Sequence, residues 1–167
     1  MQIISIQFLR KTHPTEEESI FFHHYNISFT QKSREKTKFQ MTQVLKITID
    51  LLLVTLLILF FDAGYLYFNS GSFSSMITSI QHTTMEIRLW PVVICYAFIV
   101  TGIYYFIIRE RKSVSDAILL GVVIYAVYDC TNYATLTNYS ISFAIMDAIW
   151  GGALFGLVTF SYQLLID

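Results

Sequence analysis

Four apolar runs dominate the sequence, at about 44–68, 90–108, 115–136 and 140–165. Each is close to the roughly 20 residues a helix needs to cross about 30 Å of hydrocarbon. The first is nearly pure Leu, Ile, Val and Phe from Leu51 to Phe61. No water reaches the bilayer interior, so the backbone must bond to itself, and such runs fold as helices. Pro91 opens the second run, where a first helical turn tolerates its missing N–H. These constraints predict an all-α fold, a polytopic integral membrane four-helix bundle whose main partner is the lipid bilayer.

Charge supports the same reading. Only 14% of the 167 residues are charged, against about 25% in soluble domains. Of the 23 charged residues, 12 lie at or before Asp50. Residues 1–40 therefore form a polar extension, expected to be weakly ordered, and residues 41–167 the four-span domain. Met41 stands where the membrane pattern begins and is a candidate alternative start. A net charge of −1 without a basic face excludes a nucleic-acid binder.

The connections set the topology. Arg109-Glu110-Arg111-Lys112 and Thr137-Asn138-Tyr139 are short turns, so the helices they join are antiparallel neighbours. Between the first two spans Phe73, Met76, Ile77 and Ile80 recur at helical spacing, which predicts a short interfacial helix. Lys32, Arg34, Lys36, Lys38, Lys46, Arg109, Arg111 and Lys112 gather on one side of the spans and only Arg88 on the other. Both termini are thus expected to be cytoplasmic, in the cell membrane if the source is bacterial.

An ionisable group at the centre of a span costs at least about 2.5–3.5 kcal/mol and needs a reason. Asp62, Asp129 and Asp147 are such groups. From their distances to the span ends, at 1.5 Å per residue, all three lie about 9–11 Å below the outer face. No Lys or Arg lies within any span. Tyr65, Thr131, Asn132 and Trp150 are at the same depth and can complete a site. Two readings follow: a hydrogen-bonded cluster that fixes helix register, or a site for a proton or cation. Asp50 and Asp116, nearer the span ends, can reach the interface.

Ala144, Ala148, Gly152 and Gly156 recur every four residues, with Gly151 alongside. Such a stripe admits a close helix, either within the bundle or in a homo-oligomer or other membrane partner. Cys95 and Cys130 read as small buried apolar residues. His13, His23, His24 and His82 lack metal-ligand spacing, and no cofactor motif appears.

Tyr128-Asp129-Cys130-Thr131-Asn132-Tyr133-Ala134-Thr135, followed by Asp147-Ala148-Ile149-Trp150-Gly151, resembles a four-helix membrane family, domain of unknown function 2177. Asp62-Ala63-Gly64-Tyr65-Leu66 is similar to that family's first-span motif, with Tyr65 in place of Trp. The resemblance covers about residues 41–167. It implies the four-helix topology, picks out the same polar residues and favours Met41 as the start. It implies no activity.

The residues themselves point first to a small transporter or permeation protein, with Asp62, Asp129 and Asp147 binding a proton or cation. A non-catalytic accessory subunit of a membrane complex is the alternative. Catalysis on a lipid has least support, because no His, nucleophile motif or basic headgroup-binding residue lies within the spans.

Overall fold

The computed structural model describes residues 16–166, without the side chains of 16–24 and 26–28. His13 and Pro14, the side chains of His23 and His24, and the expected weak order of residues 1–15 lie outside the described residues. The chain forms helix α1 (Glu16–Gln81), α2 (Leu89–Ile103) running into a π-helical turn (Tyr104–Ile108), α3 (Val114–Thr135) and α4 (Ile141–Ile166). Four helical stretches are long and apolar enough to cross a membrane, namely Phe29–Gln81, Leu89–Ile108, Val114–Thr135 and Ile141–Ile166.

The described residues divide into two units, one up to Ile47 and one from Thr48 onward. In the first, the helix starts at Glu16, and its residues from 29 to 47 are exposed. Thr37 and Thr42 return their hydroxyls to the carbonyls of Ser33 and Lys38. That back-bonding satisfies a polar side chain without any tertiary partner.

The second unit is built around α4. Half of its most apolar window is buried (50%), against 22% for α2 and 17% for α3. Small residues explain this. Gly121 of α3 lies so close to Gly151 of α4 that a Cβ at 121 would meet the Gly151 carbonyl oxygen at 2.1 Å. A Cβ at Gly152 would meet Val122, and one at Gly156 would meet Ile118. The small-residue face of α4 thus meets α3. Val54 and Ile58 of α1, Ile103 of α2, and Leu154, Phe155 and Val158 of α4 are fully buried together. The large apolar side chains outside this core, such as Phe60, Phe98, Val127 and Ile149, are exposed. In a bilayer those faces meet lipid, which explains apolar residues on both sides of each helix.

The turns follow from local chemistry. Ser113 caps α3: its Oγ accepts the Asp116 N–H while Asp116 accepts the Ser113 N–H at 3.1 Å. Such a capping box satisfies two otherwise orphaned donors. Asn138 occupies the left-handed region (φ 66°) between α3 and α4, a conformation Asn adopts more readily than most residues. Its side-chain amide donates to the Ser79 carbonyl at 3.3 Å, tying that turn to the end of α1.

Three expectations change. The segment holding Phe73, Met76, Ile77 and Ile80 is helical, but as the last turns of α1 rather than a separate helix. The segment has no proline to break the ladder, but its Ser, Asn, Gly and Thr are weak helix formers, so packing rather than propensity carries the helix on. Its apolar residues pack against Tyr139, Phe143 and Ala144. Cys95 and Cys130 are free and exposed rather than buried, because α2 and the C-terminal part of α3 turn those faces away from the core. Asp50, expected to reach outward from the span end, is buried: α4 runs past it and Tyr162 donates to it.

Candidate functional site

Asp50, Asp62, Asp129 and Asp147 are all buried. Among the described residues the one recorded ion pair is Arg109 with Glu110 at 3.5 Å, both half exposed and away from these carboxylates. Each buried carboxylate is instead held by a neutral aromatic donor. Tyr162 donates to Asp50 Oδ1 at 2.7 Å. Trp150 Nε1 donates to Asp62 Oδ1 at 2.9 Å, and Tyr96 donates to Asp62 Oδ2. Tyr65 donates to Asp147 Oδ1 at 2.9 Å. Tyr139 donates to Asp129 Oδ1 at 2.6 Å.

Helix geometry explains how these groups meet. On α1 the buried positions Asp50, Val54, Ile58 and Asp62 recur every four residues, with Tyr65 one turn beyond. That spacing keeps them along one side of a helix. On α4, Asp147 and Trp150 are three residues apart and share a face. The pairs between α1 and α4 keep one antiparallel register. Twelve residues forward from Asp50 to Asp62 match twelve back from Tyr162 to Trp150. Three more, from Asp62 to Tyr65, match three back from Trp150 to Asp147. At 1.5 Å per residue the seam runs about 22 Å.

The middle of the site is a crossed square. Asp62 and Tyr65 come from α1, and Asp147 and Trp150 from α4; each carboxylate accepts from the other helix's aromatic. The two rings stack, with centroids 4.4 Å apart and planes 5° from parallel. A stacked ring pair fixes both donors, so the hydrogen bonds and the stacking support each other.

The carboxylates differ in what remains open. Both oxygens of Asp62 accept a donor. Asp129 is 1% exposed, yet its Oδ2 has no partner. Among the described residues the other buried side-chain atom in that condition is Thr159 Oγ1. Asn132 lies beside the Tyr139 hydroxyl. Burial, and then the bond to Asp129, push the Tyr139 phenol up, so it remains a donor.

Of the sequence-predicted residues, the structure joins Asp62, Tyr65, Asp147 and Trp150 directly. Asp129 forms its own pair with Tyr139, flanked by Asn132. Thr131 is not part of the site: it is exposed, and its hydroxyl donates to the Val127 carbonyl at 2.7 Å. Adjacency to Asp129 in sequence places Thr131 on another helix face. Ala144 is buried beside Tyr139 and Phe143, Ala148 is partly buried, and Gly152 and Gly156 meet α3. Sequence reasoning missed Tyr96, Tyr139 and Tyr162. The available signal was a register: fixing Asp62 opposite Trp150 places Tyr162 opposite Asp50.

The residues that form this site fall inside one family signature, whose model matches residues 47–163. The chain belongs to the DUF2177 family. The family is described as predicted membrane proteins, in agreement with the four apolar helices. The match begins at 47, beyond the polar extension, and takes in all four buried aspartates. No curated protein and no solved structure matches the chain.

Proposed function

We propose that this DUF2177 protein is a small transporter or permeation protein, and that Asp129 is its proton-binding residue, with Asp147 and Asp62 beside it. The observation that carries this reading is the bare, buried Oδ2 of Asp129. A buried charge without a cation is unfavourable in a bilayer, and a proton on that oxygen removes the charge. Asp129 and Asp147 each accept from one phenol and Asp62 from a phenol and an indole, donors that can serve an anion or a protonated acid but supply no charge. Asp62, with both oxygens engaged, acts as the fixed acceptor. A larger cation has less support, because it needs several oxygens and the Thr131 hydroxyl faces elsewhere. Both termini lie on the cytoplasmic side in this reading, following the Lys and Arg of the chain ends and of the turn at 109–112.

Proton flux into proteoliposomes with an internal pH dye tests the proposal. Parent protein is expected to dissipate an imposed pH gradient faster than protein-free vesicles. Asp129→Asn keeps the acceptor for Tyr139 but cannot take up the proton, so its flux is expected to fall to the protein-free level. Equal flux from Asp129→Asn and the parent would remove the proposal.

A further inference from the structure

Asp129 is 1% exposed, so a proton from water reaches its bare Oδ2 only when something moves. The cover over it has an identifiable weak point. Asp129 lies six residues before Thr135, the last residue of α3, and so about 9 Å below that end of the bundle. This is the end opposite the turn at 109–112. Here the chain leaves α3 at Leu136, whose extended backbone (φ −105°, ψ 124°) breaks the helix. Asn138 then reverses it in the left-handed region. The reversal aims Tyr139 back into the bundle. Its ring is buried, and its hydroxyl reaches Asp129 Oδ1 at 2.6 Å. One side chain therefore spans the way from the turn to the acid.

The end of α1 packs on this side chain. Met76 is buried with Tyr139, Phe143 and Ala144, and Phe73, Ile77 and Ile80 pack around them. Phe73 meets Phe143 edge-on, with centroids 4.6 Å apart. The polar ties of the turn are long by comparison with the phenol's bond. Asn138 donates to the Ser79 carbonyl at 3.3 Å, Tyr139 N–H to the Leu136 carbonyl at 3.4 Å, and Phe143 N–H to Ser140 Oγ at 3.3 Å. Such bonds usually stand near about 2.9–3.0 Å. A segment held by few and long bonds is one that opens locally. Resting on the assignment of Asp129 as the proton site, we propose that Tyr139 and the last turns of α1 form a gate over it. Swinging the 136–140 turn away from α1 withdraws the phenol and lets water reach Oδ2. Apolar packing keeps the closed gate dry. The Asn138–Ser79 bond is its strap and the Tyr139–Asp129 bond its latch.

Ala144→Cys reads the gate without proton flux, since Ala144 is buried among these residues. The full chain is placed in nanodiscs with Cys95→Ala and Cys130→Ala, and a charged methanethiosulfonate reaches the new thiol only while the gate is open. Asn138→Gly keeps the left-handed backbone and removes the strap. Tyr139→Phe keeps the ring and removes the latch. Each is expected to speed labelling about 2- to 12-fold, the weight of one hydrogen bond. Equal labelling rates with and without these changes would overturn the proposal. Flux supplies a second test. In the same background, Phe73→Cys and Phe143→Cys are bridged by a short bifunctional methanethiosulfonate, which holds α1 on α4. Proton flux in proteoliposomes is expected to stop on bridging and return on reduction. Flux that survives bridging would overturn the gate and leave Asp129 as the proton site. Failure of the proton site shows differently: Asp129→Asn and the parent carry equal flux, while the Ala144→Cys rates still respond to Asn138→Gly.

Discussion

Gly121→Ala adds a single methyl group where the structure has no room for it. A Cβ at this position would stand 2.1 Å from the Gly151 carbonyl oxygen, 2.7 Å from its carbon and 3.0 Å from Phe155 Cβ. Two of those atoms are backbone, so no rotamer change relieves the contact. Reaching a tolerable 3.0 Å requires α3 and α4 to separate locally by about 1 Å. A gap of that size forfeits about a quarter to a half of the dispersion attraction between facing atoms. Overpacking of this kind costs about 1–3 kcal/mol. Alanine's better helix propensity returns about 0.5–1 kcal/mol. Gly64→Ala is the control, because nothing lies within 4 Å of its added Cβ. It keeps the propensity gain without the clash, so the two variants are expected to differ by about 1–3 kcal/mol. Equilibrium unfolding in mixed micelles, followed by circular dichroism, measures the difference. The effect should reach the polar site, since Gly151 adjoins Trp150 and moving it shifts the donor to Asp62. Equal stability of the two variants would refute the close-approach argument.

Two further outcomes follow from the hydrogen bonds. A double-mutant cycle with Tyr65→Phe and Asp147→Asn, read by the same unfolding, is expected to give a coupling of about 0.6–1.7 kcal/mol; zero coupling would remove the bond from the folded state in micelles. Thr159→Val keeps the shape and deletes a buried hydroxyl with no partner, so it is expected to be neutral or stabilising by about 1–3 kcal/mol, and a clear destabilisation would reveal an acceptor for that hydroxyl.

The helices were legible because the bilayer sets their length and forbids other backbone solutions. The ends were not: nothing in the composition of 69–81 says whether α1 stops after Phe68 or continues to Gln81. Asp62, Asp129 and Asp147 stood out because charge is rare in the spans. Their donors did not, since 11 tyrosines in an apolar chain give no reason to single out Tyr96, Tyr139 or Tyr162. Tyr162 needs the register of α1 against α4, Tyr96 the packing of α2 on α1, and Tyr139 the return of its turn onto α3, none of which a local pattern encodes. Thr131 shows the opposite error. Proximity in sequence suggested a ligand, and the helical period turned it outward.

The seam between α1 and α4 also has a consequence for biosynthesis. The indole that holds Asp62 lies 88 residues downstream, and the acid that holds Tyr65 lies 82 downstream. At about 5–20 residues per second, α1 waits about 4–18 s for that helix to be made. During the wait Asp50 and Asp62 lack their α4 donors. When α4 arrives, only one register pairs all three donors with acceptors; a shift of one turn strands every one of them. The last helix therefore proofreads its own docking, rejecting any alignment that leaves a carboxylate bare.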